Sequence, residues 1–253
     1  MYDLPSYVWA LVLTGVIGIP ATTVVMLYRG AVPARLGRRT ATSVAVVAAY
    51  VLGGWIVASG LLARAGVYHQ ESGAAAPWFG VAFAGTLIAL LLAAQIPTVS
   101  RILADSGTLA RLALPHTFRV VGVSFLIAMA QGDLPPVFAL PAGLGDIAIG
   151  ISAPFVARRL TRERDYKGAV RFNVLGILDL VVALSIGFLA GLGPFRPLDV
   201  TPSTEPLALL PLALVPTVAV PLAIALHIVS LRRLRTAARP KEDRDGHLLP
   251  AAG

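Results

Sequence analysis

The chain has 253 residues, of which 57% are hydrophobic and only 13% charged, with a formal net charge of +8 and a mean hydropathy of +0.79. A soluble domain carries about 25% charged residues, so this composition excludes an ordinary water-soluble domain and expects a lipid-facing surface. Cysteine is absent, which excludes disulfides, thiolate metal sites and catalytic thiols together.

A membrane-spanning helix needs roughly 20 apolar residues. Seven spans are expected in chain order: 7–27, 41–62, 77–95, 115–131, 137–156, 172–191 and 207–231. The start, MYDLPSYVWALVL, has no basic segment and carries Asp3, so the first span reads as a retained helix rather than a cleaved leader. Between the third and fourth spans, 98–114 is too polar to cross. It is expected along the cytoplasmic interface with Ile102, Leu103, Leu109 and Leu112 toward lipid. In the fourth span, Pro115 suits a first helical turn, and Arg119 lies just inside. Spans 4 and 5 fit either two full crossings or a re-entrant hairpin. Arms of about 17 and 20 residues reach roughly 25–30 Å, which favours crossing. Pro211, Pro216 and Pro221 recur every five residues in the seventh span. Each removes a backbone donor, so a kinked helix packed inside the bundle is expected.

Charge sets the orientation. Arg29, Arg35, Arg38 and Arg39 follow span 1, and Arg101 and Arg111 follow span 3. Arg158, Arg159, Arg162, Arg164, Lys167 and Arg171 follow span 5, and six more basic residues follow span 7. The opposite side holds only Arg64 and Arg196. By the positive-inside rule the amino terminus is outside and the carboxyl terminus cytoplasmic. Residues 1–236 therefore form one all-α, polytopic helical bundle, and 237–253 read as a disordered cytoplasmic tail. Because the basic residues lie in short loops beside apolar spans, they orient the chain in the bilayer, and no nucleic-acid partner is expected. The arginine-, alanine- and glycine-rich composition fits a bacterial plasma membrane.

Of 13 acidic residues, only Asp146 and Asp179 fall within apolar spans. A charge at mid-membrane costs at least about 2.5–3.5 kcal/mol on insertion scales. The two share a local pattern: GLGDIAIGIS around Asp146 and GILDLVVALS around Asp179. On a helix, Gly143, Asp146 and Gly150 form one stripe, and Gly176, Asp179 and Ala183 another. Small residues let helices approach closely or leave room for an ion or water. The two helices run in opposite directions, as in the inverted repeats of many transporters. Pro141 frees a carbonyl near Val137, close to the membrane surface. Arg119 reads as a partner for an aspartate or as a membrane-edge anchor. Asn173 reads most simply as a helix cap, and His227 as an interfacial or hydrogen-bonded histidine.

Several chemistries are missing. No span holds a lysine for a retinal Schiff base, and there is no HExxH motif or P-loop. His69, His116 and His247 read as loop or edge residues, so no facing histidine pair for haem is expected. A Ser124–His227 protease dyad lacks the expected glycine after the serine. No cofactor is expected, the metal question stays open, and an enzyme is disfavoured.

The combination FALPAGLGD…SAP, FNVLGILDL and LALVPTVAVPLAIALH resembles a family of uncharacterised multi-pass membrane proteins of actinobacteria and other bacteria. It covers about 115–235. The resemblance implies no activity, only that Pro141, Gly143, Gly145, Asp146, Asn173 and Asp179 are motif positions. Two functions remain in play. One is a small transporter or permease-like protein that binds a proton or small cation at the two aspartates. The other is a membrane assembly, partner or sensor component with structural aspartates.

Overall fold

A computed structural model describes residues 4–69, 78–192 and 197–237. Every described element is helical. Helices α1 (Ser6–Ala31) and α2 (Arg38–Arg64) are followed by α3 (Trp78–Ala93), α4 (Pro97–Ala104) and α5 (Ser106–Arg111). A 3-10 helix, Leu114–Gly122, leads into α6 (Val123–Ala130). Then come α7 (Pro136–Arg162), α8 (Tyr166–Gly187), a π turn at Phe188–Leu192, a second 3-10 turn at Glu205–Ala208, a π turn at Val215–Ala219, and α9 (Val220–Ala237). Among the described residues six helical stretches are long and apolar enough to cross a membrane. A seventh is reached if α3 and α4, bent by 77° at residues 94–96, count as one span.

The bend after α3 sends α4 and α5 beneath the bundle rather than along its lipid face. Ile102, Leu103, Leu109 and Leu112 are buried against protein, not turned toward lipid as their sequence position suggested. The reason is geometric: α4 and α5 pack on α1, α7 and α9 and close the arginine-rich end of the bundle. Asp105 caps α5, its carboxylate accepting the Thr108 amide at 3.1 Å.

The seventh expected span is not one kinked α-helix. Residues 205–214 wind as a 3-10 turn and further turns, and the long helical stretch begins only at Val215. Three prolines at five-residue spacing cannot complete an α-helical ladder. Two of the freed carbonyls are met by other donors. Pro216 leaves the Leu212 carbonyl to the Val215 amide at 3.0 Å. Pro221 leaves the Thr217 carbonyl to the indole of Trp55 on α2, at 2.9 Å. Ser59 and Thr217 share a hydroxyl hydrogen bond at 2.7 Å. The proline segment is thereby stitched to α2 in a setting where an unmet backbone group is costly. By contrast α7 runs unbroken through Pro141 and Pro154.

The nine-residue 3-10 helix packs between α1 and α7. At three residues per turn, positions i, i+3 and i+6 fall in line. His116, Arg119 and Gly122 form one such line, and all three are buried. Phe118 and Val121 form part of the next line and lie against Gly15 and Gly18 of α1, which leave no room for a Cβ. On the other side, Gly150 of α7 abuts the backbone at Arg119 and Val120, and Gly143 abuts Leu126 and the Gly122 carbonyl. The stripe of small residues on α7 is thus the surface that seats the 3-10 helix.

Candidate functional site

Seating the 3-10 helix between α1 and α7 aims Arg119 into the middle of the bundle, where its side chain is 3% exposed. Its Nε donates to Asp146 Oδ1 at 2.6 Å. Its Nη2 donates to Asp179 Oδ2. Its Nη1 lies 3.2 Å from His227 Nε2. One planar guanidinium therefore joins α7, α8 and α9 through three different nitrogens, which suits the rigid fork of arginine and not the point charge of lysine.

The histidine's tautomer follows from its partners. Arginine can only donate, so His227 Nε2 accepts. Nδ1 then carries the ring proton and donates to Asn173 Oδ1 at 2.9 Å. That orientation agrees with the Asn173 amide, whose Nδ2 donates to the Ala169 carbonyl at 2.7 Å and to Ser230 Oγ at 3.1 Å. The chain Arg119–His227–Asn173–Ser230 is a buttress that fixes the guanidinium from behind. Because Nε2 is already occupied by an N–H, His227 holds Arg119 in place rather than passing a proton through it.

Asn173 is therefore not a helix cap. Helix α8 begins at Tyr166, two turns earlier, and Asp165 is its cap, accepting the Gly168 amide at 2.8 Å. Nor is His116 at an edge. It is fully buried and stacked on His227, with ring centroids 3.8 Å apart and planes 14° from parallel. Phe172 packs edge-on against both rings. Neither nitrogen of His116 has a hydrogen-bond partner among the described residues. His116 is thus an interior residue whose ring lies face to face on that of His227.

Glycines fit this cluster closely. A Cβ on Gly145 would strike the Asp179 carboxylate, one on Gly122 would strike Asp146, and one on Gly176 would strike the His227 ring. Gly145 lies off the Gly143–Asp146–Gly150 stripe, yet it is the residue that admits the second carboxylate. Ala183 borders the space beside Asp146 and Asp179, whereas Pro141 borders neither cavity at the site.

Two small cavities flank the carboxylates. One of about 30 Å³ lies between Asp146, Arg119, α1 and α9. The other, of about 40 Å³, is bordered by both Asp146 and Asp179 and extends toward Phe138, Gly187 and Leu207, away from the arginine-rich end. Asp146 borders both. A water needs about 10–15 Å³ measured this way, so each cavity has room for only a few. Among the described residues no group of three or more His, Asp or Glu side chains could hold a metal ion.

Residues 76–235 match the model of a family described as a domain of unknown function, DUF8737, and the chain belongs to that family. The match takes in α3 as well as the second half of the chain, so it reaches further toward the amino terminus than the motif resemblance. No curated protein and no solved structure matches the chain.

Proposed function

We propose that the protein is a small transporter or permease-like membrane protein whose Asp146–Arg119–Asp179 triad takes up and releases a proton. The carrying observation is charge stoichiometry: one buried guanidinium faces two carboxylates. With both ionised, the cluster holds one uncompensated negative charge deep in the bundle, a costly state in a membrane. A single proton removes it, delivered by a water in the cavity shared by the two aspartates and held as a carboxylic acid. The limited cavity volume and the short list of oxygen ligands favour a proton over a hydrated metal cation, which needs six or more oxygens in the case of calcium. Arg119 stays charged throughout and serves as the fixed counter-ion.

The triad also joins the 3-10 helix to α7 and α8, and through His227 to α9, which favours a second reading: a clasp in a membrane assembly component. Flux separates the two. In proteoliposomes carrying a pH dye, under an imposed proton gradient, the wild-type chain is expected to admit protons faster than empty vesicles. Asp146→Asn and Asp179→Asn should each lower that rate about 100-fold, the scale of a positioned proton-transfer group. Flux absent from the wild type, or unchanged from the wild type in both variants, supports the clasp.

A further inference from the structure

A wide apolar space lies apart from the triad and shares no lining residue with it. A chamber of about 440 Å³ opens at the arginine-rich half of the bundle, walled by Leu27, Ala48, Ala94, Val99 and Leu226 among others. It exists because α2 packs on α1 and on the π turn at Val215–Ala219 but forms no comparable interface with α3. The 77° bend after α3 then carries the chain beneath the bundle and leaves the wedge between α2 and α3 unfilled.

The chamber falls within the roughly 300–1,000 Å³ of small-molecule sites. Its walls are almost wholly apolar and offer water few partners. Left empty, the lining would forfeit dispersion contacts. Val47 and Val51, which also border it, are 61% and 63% exposed, so the space is open sideways toward what surrounds α2. The hydrocarbon available there is an acyl chain.

Its mouth has a chemical character of its own. Ser43 and Thr98 border the chamber. Arg39 precedes Ser43 by one helical turn on α2, and Arg101 follows Thr98 by one turn on α4; both arginines are exposed. Positions three and four apart share a helix face, so two guanidinium groups stand one turn beyond the hydroxyls at the arginine-rich end. Arginine binds phosphate oxygens in bidentate fashion.

We infer that this chamber is a binding site for a phospholipid with an anionic head group, its acyl chain inside and its phosphate between Arg39 and Arg101. The test is native mass spectrometry of the full chain, released from detergent, with equimolar phosphatidylglycerol and phosphatidylcholine of identical chains. A single-lipid adduct is expected, favouring phosphatidylglycerol at least about fivefold, as one arginine near an anionic lipid supplies. Ala48→Trp places an indole in the chamber and should cut the adduct about tenfold while helix content is unchanged. Ala94→Phe, on the facing wall, replaces it if Ala48→Trp does not fold. Arg39→Gln with Arg101→Gln should keep the adduct and bring the two lipids to parity. Equal retention of both lipids by the wild type, or an adduct indifferent to the wall substitution in folded protein, overturns the assignment.

Discussion

Replacing Arg119 with methionine is expected to destabilise the protein by about 3–5 kcal/mol, as breaking one side of a buried ion cluster does. The substitution leaves Asp146 and Asp179 facing each other without their counter-ion, and it strips His227 Nε2 of its donor. For a chain of this size the apparent thermal midpoint should fall by roughly 6–20 °C. The penalty belongs to the orphaned carboxylates rather than to the lost contacts. The triple variant Arg119→Met, Asp146→Asn, Asp179→Asn should therefore recover most of the loss, since neutral replacements of buried ion triads are often tolerated. Arg119→Lys should fall between, because an ammonium cannot reach three partners in one plane. Thermal unfolding of the detergent-solubilised variants decides it. A methionine variant as stable as the wild type would show that the guanidinium is not held between the two carboxylates.

The second large effect comes from adding one methyl group. Gly176→Ala places a Cβ against the His227 ring, and Gly145→Ala places one against the Asp179 carboxylate. Neither neighbour can step aside. His227 is fully buried, stacked on His116 and bonded at both nitrogens. Asp179 is tied to Arg119. Overpacking of this sort costs about 1–3 kcal/mol, and at Gly145 it also pushes Asp179 away from the guanidinium. Gly54 on α2 and Gly85 on α3 have nothing within 4 Å of the same position. Alanine at those two should be neutral or stabilising by about 0.5–1 kcal/mol, the helix-interior difference between the residues. If all four substitutions behave alike in thermal unfolding, the close seating of α8 against α7 and α9 is wrong.

Much of the site could be read from the chain because its signals are chemical. Two aspartates in apolar spans stand out whatever the helix geometry, and the small residues beside them announce close packing. What hydropathy could not convey was where helices begin and end. An apolar window marks the stretch immersed in hydrocarbon, whereas α8 starts at Tyr166 and α7 continues to Arg162. That difference of about two turns turned Asn173 from a buried partner of His227 into an apparent cap.

His116 was hidden for a related reason. His116 and Arg119, three residues apart, share a face in either helix type, but a span that begins at Pro115 puts His116 in its first turn, at the rim. In the structure the two residues stand in line inside the bundle, and the apolar faces of α4 and α5 are buried where the sequence suggested a membrane edge. The lipid-facing assignment of Ile102, Leu103, Leu109 and Leu112 failed similarly. An amphipathic segment shows which face is apolar, not whether lipid or protein receives it. The proline-rich stretch was legible as trouble for a helix, but the Trp55 indole that meets the Thr217 carbonyl comes from 162 residues away.

Two carboxylates sharing one guanidinium are expected to carry a single exchangeable proton. Infrared difference spectroscopy in lipid, scanned over pH in water and heavy water, reads that proton directly. Subtracting the spectrum of Asp146→Asn, and separately that of Asp179→Asn, should leave a deuterium-sensitive carboxylic-acid band worth one proton, missing from both variants because the two groups share it. Both carboxylates remaining ionised wherever the protein stays folded, or a band that survives in both variants, would contradict the account.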